Sequence, residues 1–194
     1  MNDTSSKALF VADNLALDFI NSKYGMGEQS HDCFSDDLSV AEWMKLAGIW
    51  PEHTSLHSTD GLAVEARALR SSARRMVNSA MKGTPADCSV INQMLNTGRP
   101  DQKLEWDEEA QKFFIIDHFC HTNPSSLLWP IADSLVRLLT DDKFKFVREC
   151  EADNCVLLFH DLSKSHRRRW CSMSTCGNRM KVAAFRSRNR ADQG

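Results

Sequence analysis

The chain has 194 residues and a mass of 22.0 kDa, with 42% hydrophobic and 26% charged residues, proportions that exclude a wholly disordered chain or a coiled coil. No apolar run approaches the ~20 residues needed to span a bilayer, and the opening MNDTSSKALF lacks the basic-then-apolar order of a secretory signal, so a cytoplasmic protein with no membrane association is expected. The net charge of -2 hides an asymmetry: residues 1–140 carry 12 Lys and Arg against 19 Asp and Glu, whereas residues 141–194 carry 12 against 7. A basic tail on an acidic body suits a polyanionic partner, the plain alternative being a solubilising tail.

In chain order, LALDFIN at 15–21 fits neither the helical nor the strand period cleanly and reads as a short helix or turn packed into the core. A loop follows over 22–37. Ser39 is a candidate N-cap with Glu42 as its capping-box partner, opening a helix whose apolar face holds Val40, Trp43, Met44 and Leu46 and which ends at Gly48. Over 61–82, Leu62, Ala66, Leu69, Ala73, Met76 and Val77 recur at helical spacing, with Arg67, Arg70, Arg74 and Arg75 largely off that face. Asp87 is placed to cap a shorter helix through Val90, Met94 and Leu95. Residues 103–106 and 112–116 read as a hairpin turning at 107–110. Pro130 suits the first turn of a helix from Ile131 to about Glu149. The expected fold is therefore mainly α with a small β-hairpin.

The chemistry lies in the tail. Two C-x4-C pairs, Cys150 with Cys155 and Cys171 with Cys176, stand fifteen residues apart. In a reducing compartment this suits one tetrahedral Zn2+ held by four thiolates, against the alternatives of incidental thiols or redox-active pairs. Four cysteines close the coordination shell, so the metal would be structural rather than catalytic. A module of this size is too small to build a self-sufficient core, which is where a structural metal contributes most. Val156, Leu157, Leu158 and Phe159 would form a buried strand beside the site, and Trp170 would cover the metal. Around the quartet stand Arg167, Arg168 and Arg169, then a helix carrying Arg179, Lys181, Arg186, Arg188 and Arg190, with Val182 and Phe185 as a stripe expected to dock it on the zinc core. Such a helix suits a DNA groove, since Arg contacts phosphate or pairs with two acceptors on guanine.

Several motifs together resemble a known family. Cys150-x4-Cys155, Phe159-x-Asp161-x-Ser163, Arg168-Arg169-Trp170-Cys171-Ser172-Met173 and Cys176-Gly177-Asn178-Arg179-x-Lys181 closely resemble the bacterial CGNR zinc finger, the run CGNR itself standing at 176–179. LALDFIN at 15–21, Asp37-Leu38 through Trp43 to Ala47-Gly48, and Leu69-Arg70 are similar to the ABATE-type domain that usually precedes that finger. The resemblance implies a bacterial stress-related transcriptional regulator: an α-rich regulatory domain over 1–145, then a DNA-binding finger over 146–194. His160 departs from the pattern, which has an apolar residue there, and becomes a fifth candidate ligand.

Other titratable groups carry weaker readings. Asp117, His118, Cys120 and His121 would make a second metal site only if the stretch were helical, while His53 and His57 read as a solvated pair. Cys33 and Cys88 read as ordinary semi-buried thiols. Asp18 and Asn21 either satisfy backbone groups or line a small-molecule site. No phosphate loop, dinucleotide fingerprint or nucleophile motif is present, and an enzyme is not expected. The expected function is a zinc-containing DNA-binding transcriptional regulator whose body senses a small molecule or mediates association, including as a homodimer. The alternative is an adaptor gripping an acidic protein partner or RNA.

Overall fold

The computed structural model describes residues 8–51, 59–118 and 123–191. The first helix, α1 (Leu15–Ile20), is short and almost entirely buried. Asn14 caps it, its side-chain oxygen accepting the Leu17 N–H at 3.2 Å. Two-residue strands β1 (Lys23–Tyr24) and β2 (His31–Asp32) then pair antiparallel within what the sequence suggested was loop.

The second helix, α2 (Asp37–Leu46), begins earlier than Ser39. Asp36 is its N-cap and accepts the Ser39 N–H at 2.8 Å, while the Ser39 hydroxyl accepts the Asp36 N–H at 3.1 Å. Ser39 is thus the third residue of the capping box, and Glu42 has no part in it. Either residue suits the cap chemically, and the chain path decides between them. Trp43 from this helix packs edge-on against Phe19 and Phe34 to make an aromatic centre.

The longest helix, α3 (Leu62–Met81), buries the stripe expected of it. Its start is capped from α2: the Asp37 carboxylate accepts the N–H groups of Gly61 at 3.1 Å and Ala63 at 2.7 Å. One arginine departs from the expectation. Arg70 is buried and makes a two-pronged pair with Asp32 at 2.6 and 2.7 Å. The next helix, α4 (Ser89–Thr97), has Cys88 at the cap position, with the Asp87 carboxylate accepting the Ser89 N–H at 2.9 Å. The expected hairpin forms from β3 (Asp101–Asp107) and β4 (Lys112–His118), with Trp106 facing Phe113, Leu104 facing Ile115 and Asp107 facing Lys112, so that the turn is 108–111 rather than 107–110.

The following helix, α5 (Pro124–Thr140), overturns the expectation of a helix from 131 to 149. Pro124, not Pro130, occupies the first turn, beneath an Asn123 cap that accepts the Ser126 N–H at 2.9 Å, and Pro130 sits inside the helix. The chain leaves α5 at Asp141, whose carboxylate accepts the Lys143 N–H at 2.7 Å and turns it through a 3-10 segment, Asp142–Phe146. Residues near 149 are instead strand: β5 (Val147–Glu149) pairs antiparallel with β6 (Leu158–His160). The last element is α6 (Asn178–Ala191).

The two halves of the chain share one continuous core, which runs from α1, α3 and α5 into Leu158, Phe159 and the cysteines. Side chains bolt them together. Asn21 clamps Leu158, its amide donating to the Leu158 carbonyl at 2.7 Å and its oxygen accepting the Leu158 N–H at 3.0 Å. The His160 N–H donates to the Ala12 carbonyl at 2.8 Å, and Arg74 donates to the Val156 carbonyl at 3.1 Å. Among the described residues no helix is long and apolar enough to cross a membrane.

Candidate metal centre and basic helix

Cys150 follows β5 directly, and the loop joining β5 to β6 is the first C-x4-C pair. Asn154 adopts a left-handed conformation (φ 62°) and the Cys155 N–H bonds the Ala152 carbonyl at 3.1 Å, so the loop turns back and brings both sulfurs to one side. In the second pair, Cys171 precedes a single wide helical turn, Met173–Gly177, and Cys176 lies within that turn, which leads into α6. Gly177 packs closely there: a Cβ at this position would lie 2.9 Å from the sulfur of Met173, a flexible, half-exposed side chain that would have to move aside.

The four Sγ atoms lie within 4.8 Å of one another. Cys155 and Cys171 are 3.8 Å apart, Cys171 and Cys176 3.6 Å, and the Cys171 N–H points at the Cys150 sulfur at 3.3 Å. A tetrahedral Zn2+ with thiolates at ~2.3 Å requires sulfur separations of ~3.8 Å, so the cluster fits that ion. The thiols also titrate against each other. The hydrogen bond from Cys171 lowers the Cys155 pKa to about 5, whereas burial and the neighbouring sulfur charge push Cys176 up to about 11. A bound Zn2+ would favour the thiolate form at this site. One structural zinc fits this cluster, where Cys150, Cys155, Cys171 and Cys176 would hold it and so cross-link the two turns, which also meet through Arg169–Glu151 and Arg179.

His160 is not a fifth ligand. It lies in β6 with its Nε2 3.1 Å from the Lys143 carbonyl, and the cluster comprises the four cysteines among the described residues. Asp117 and His118 end β4, so the helical stretch that a second metal site required is absent there; Cys120 and His121, like His53 and His57, lie outside the described residues. Cys33 is buried and held protonated, its pKa raised to about 11 by burial and the Asp32 charge, whereas Cys88 is exposed rather than semi-buried. Asp18 and Asn21 serve the backbone: one Asp18 oxygen accepts the Val11 and Ala12 N–H groups, each at 2.9 Å, and both polar groups of the Asn21 amide engage Leu158.

The basic residues divide into two groups. Arg168 points inward, pairing with Asp13 at 2.5 Å, donating to the carbonyls of Val11 at 2.7 Å and Trp170 at 2.9 Å and to that of Cys171, and lying over the Phe159 ring. Arg169 pairs with Glu151 at 2.5 Å across the finger. Arg179 bridges the two cysteine loops, donating to the Asp153 carbonyl at 2.9 Å and toward the Cys176 sulfur at 3.6 Å. Arg167, Lys181, Arg186 and Arg188 are exposed and pair with no described residue. The Arg190 side chain lies outside the described residues. The expected docking stripe is also overturned: Val182 and Phe185 are 48% and 57% exposed, because α6 is held at its base by the zinc turn and projects from it.

One organising residue had no role assigned from sequence. Asp161 is fully buried and accepts from the Ser163 hydroxyl at 2.6 Å, the Ser163 N–H at 3.0 Å and the Arg168 N–H at 2.9 Å. Burial works to raise its pKa, but these bonds hold it below the usual carboxylate range. It shapes the loop that delivers Arg168 and Cys171. The Asp-x-Ser spacing was the available signal, since Asx turns use it.

Residues 13–142 match the ABATE family, described as "Putative stress-induced transcription regulator". The chain belongs to the ABATE family. Residues 147–189 match the CGNR zinc finger, so this ABATE protein joins the two segments in the expected order. No curated protein matches it. In this ABATE chain the four letters of the finger's name have separate physical tasks. Cys176 ligates, Gly177 admits Met173, Asn178 donates to the Ser174 carbonyl at 3.3 Å, and Arg179 ties the two cysteine loops.

Proposed function

We propose that this ABATE protein is a non-enzymatic, cytoplasmic transcriptional regulator that binds DNA through α6. The observation that carries this reading is a helix rooted in a zinc cluster, with Lys181, Arg186 and Arg188 exposed and unpaired around exposed Val182 and Phe185. The major groove, ~12 Å wide, admits such a helix. Arg186 and Arg188 then reach guanine edges or phosphates, Phe185 and Val182 suit thymine methyl groups, and Arg167 adds a phosphate contact beside the helix. Arg168, Arg169 and Arg179 act indirectly in this reading, by holding the finger's shape. The body supplies effector sensing or self-association. For association, the supporting observation is the apolar face of the β3–β4 hairpin, where Leu104, Phe113 and Ile115 stand exposed.

Selection of duplexes from a random pool by the zinc-loaded full chain, beside a chelated sample, tests the proposal. A defined motif enriched only with zinc is expected. Arg186→Ala should weaken that motif by ~1–3 kcal/mol and relax one base position if it reads a base. Uniform, salt-dependent binding without enrichment, or none, would replace this reading with the adaptor, whose protein complexes survive nuclease treatment.

A further inference from the structure

Residues 1–140 are acidic in balance and contain 12 lysines and arginines. Five of these, Lys23, Arg67, Arg70, Arg74 and Arg75, line one cavity of about 590 Å³. Among the lining residues the only carboxylate is Asp32, and it is taken by Arg70. Arg67 donates to the Phe34 carbonyl at 2.7 Å, and Arg74 to those of Val156 at 3.1 Å and Ile20 at 3.5 Å. Carbonyls satisfy the N–H groups of these cations but do not neutralise their charge. Burial works against the Arg74 charge, lowering its pKa, with Glu149 pulling the other way. The side chains of Lys23 and Arg75 stand exposed at the cavity and make no hydrogen bond to a described residue, their charges acting only at longer range on Asp32 and Asp87 respectively.

Helical spacing produces this concentration. Arg67, Arg70, Arg74 and Arg75 stand on α3 three, four and one residues apart, so their charges add on one side of a helix whose single acid is Glu65. Like charges three or four residues apart, as in Arg67/Arg70 and Arg70/Arg74, destabilise a helix, and low-dielectric walls focus their field into the cleft. The volume suits a small molecule rather than a chain segment. We infer that this cavity binds a small organic anion, a polycarboxylate or phosphate ester held by the planar forks of the arginines. The cavity is also lined by Val156, which belongs to the finger and whose carbonyl Arg74 holds, so an anion recruiting Arg74 acts directly on how the finger sits. That regulatory consequence rests on the DNA-binding reading above; the anion site does not.

Calorimetric titration of the zinc-loaded full chain with succinate and with glycerol 3-phosphate tests the site and separates the carboxylate and phosphate classes. Saturable binding of at least one probe at one per chain is expected. The double variant Lys23→Gln/Arg75→Gln, which removes two exposed cations whose side chains make no hydrogen bond or close ion pair with a described residue, should weaken it about tenfold while the melting temperature shifts little. Absence of saturable binding at millimolar probe, or binding that the double variant leaves unchanged, overturns the inference. So does a double variant that loses DNA while neither probe binds the parent chain, which assigns these cations to the nucleic-acid surface. Probe binding in a chain that selects no DNA sequence upholds the anion site and removes only the regulatory reading.

Discussion

Arg168 and Asp18 show how far a residue's role departs from its type. Arg168 stands in a basic run, yet its guanidinium is spent on Asp13, three carbonyl groups and the Phe159 ring, joining the two ends of the chain. Arg168→Ala is therefore expected to lower stability in urea unfolding by ~2–3 kcal/mol. Arg168→Lys should recover only part of that, because one ammonium cannot reproduce a planar fork; full recovery by Lys would reduce the role to charge alone. Asp18 is a buried carboxylate whose pKa is raised to about 6 from 3.8, burial outweighing the two N–H bonds it accepts. The folded chain thus holds this proton more tightly than the unfolded one. The associated stability is fully present below the ordinary carboxylate pKa and is lost as pH rises through about 6. Asp18→Asn keeps the accepting oxygen and removes the titration. Relative to the parent, it should gain on the order of 2 kcal/mol between about pH 4 and neutrality in chemical denaturation. A pH-independent difference would contradict the shift.

Among the elements, α1 and β6 are joined by a clamp that secures the finger against the body. Asn21, at the end of α1, satisfies both backbone groups of Leu158 in a fully buried setting. Asn21→Ala leaves that N–H and C=O without partners and should destabilise the fold by ~2–4 kcal/mol. Amide exchange at Leu158 should accelerate with it; exchange unchanged from the parent would show that water replaces the clamp at no cost. By contrast α6 packs chiefly against the Met173–Gly177 turn among the described residues, which explains how a helix of 14 residues leaves Arg186, Arg188 and its apolar stripe exposed.

Across the whole molecule, the cysteine cluster belongs to the same core as α1, α3 and α5. Metal loss should therefore spread beyond the finger. Structural zinc contributes ~10–16 kcal/mol in isolated finger peptides, so chelation is expected to produce a large fall in Tm as one cooperative transition. Faster amide exchange in α1 should accompany it. Cys176→Ser should abolish the one-per-chain zinc found by metal analysis and reproduce the chelated state. Two separate transitions, with α1 protected in the chelated chain, would show that body and finger fold independently despite their shared core.

What was legible in the sequence was local. The α3 stripe, the β3–β4 hairpin and the cysteine spacing each depend on residues near in sequence, whose periodicity or loop length restricts the backbone to few choices. Helix ends were less legible where two chemically suitable candidates compete, as with Asp36 against Ser39 and Pro124 against Pro130, because chain path selects between them. Contacts between distant residues were decided in the tertiary structure alone: Arg168 reaching Asp13, Asn21 holding Leu158, Val182 and Phe185 left uncovered, and arginines of α3 meeting Lys23 around one cavity. A side chain's type limits the bonds it can make. Which partner it meets, and whether a charge faces water, its own core or a ligand, depends on how elements pack, and no short-range pattern encodes that.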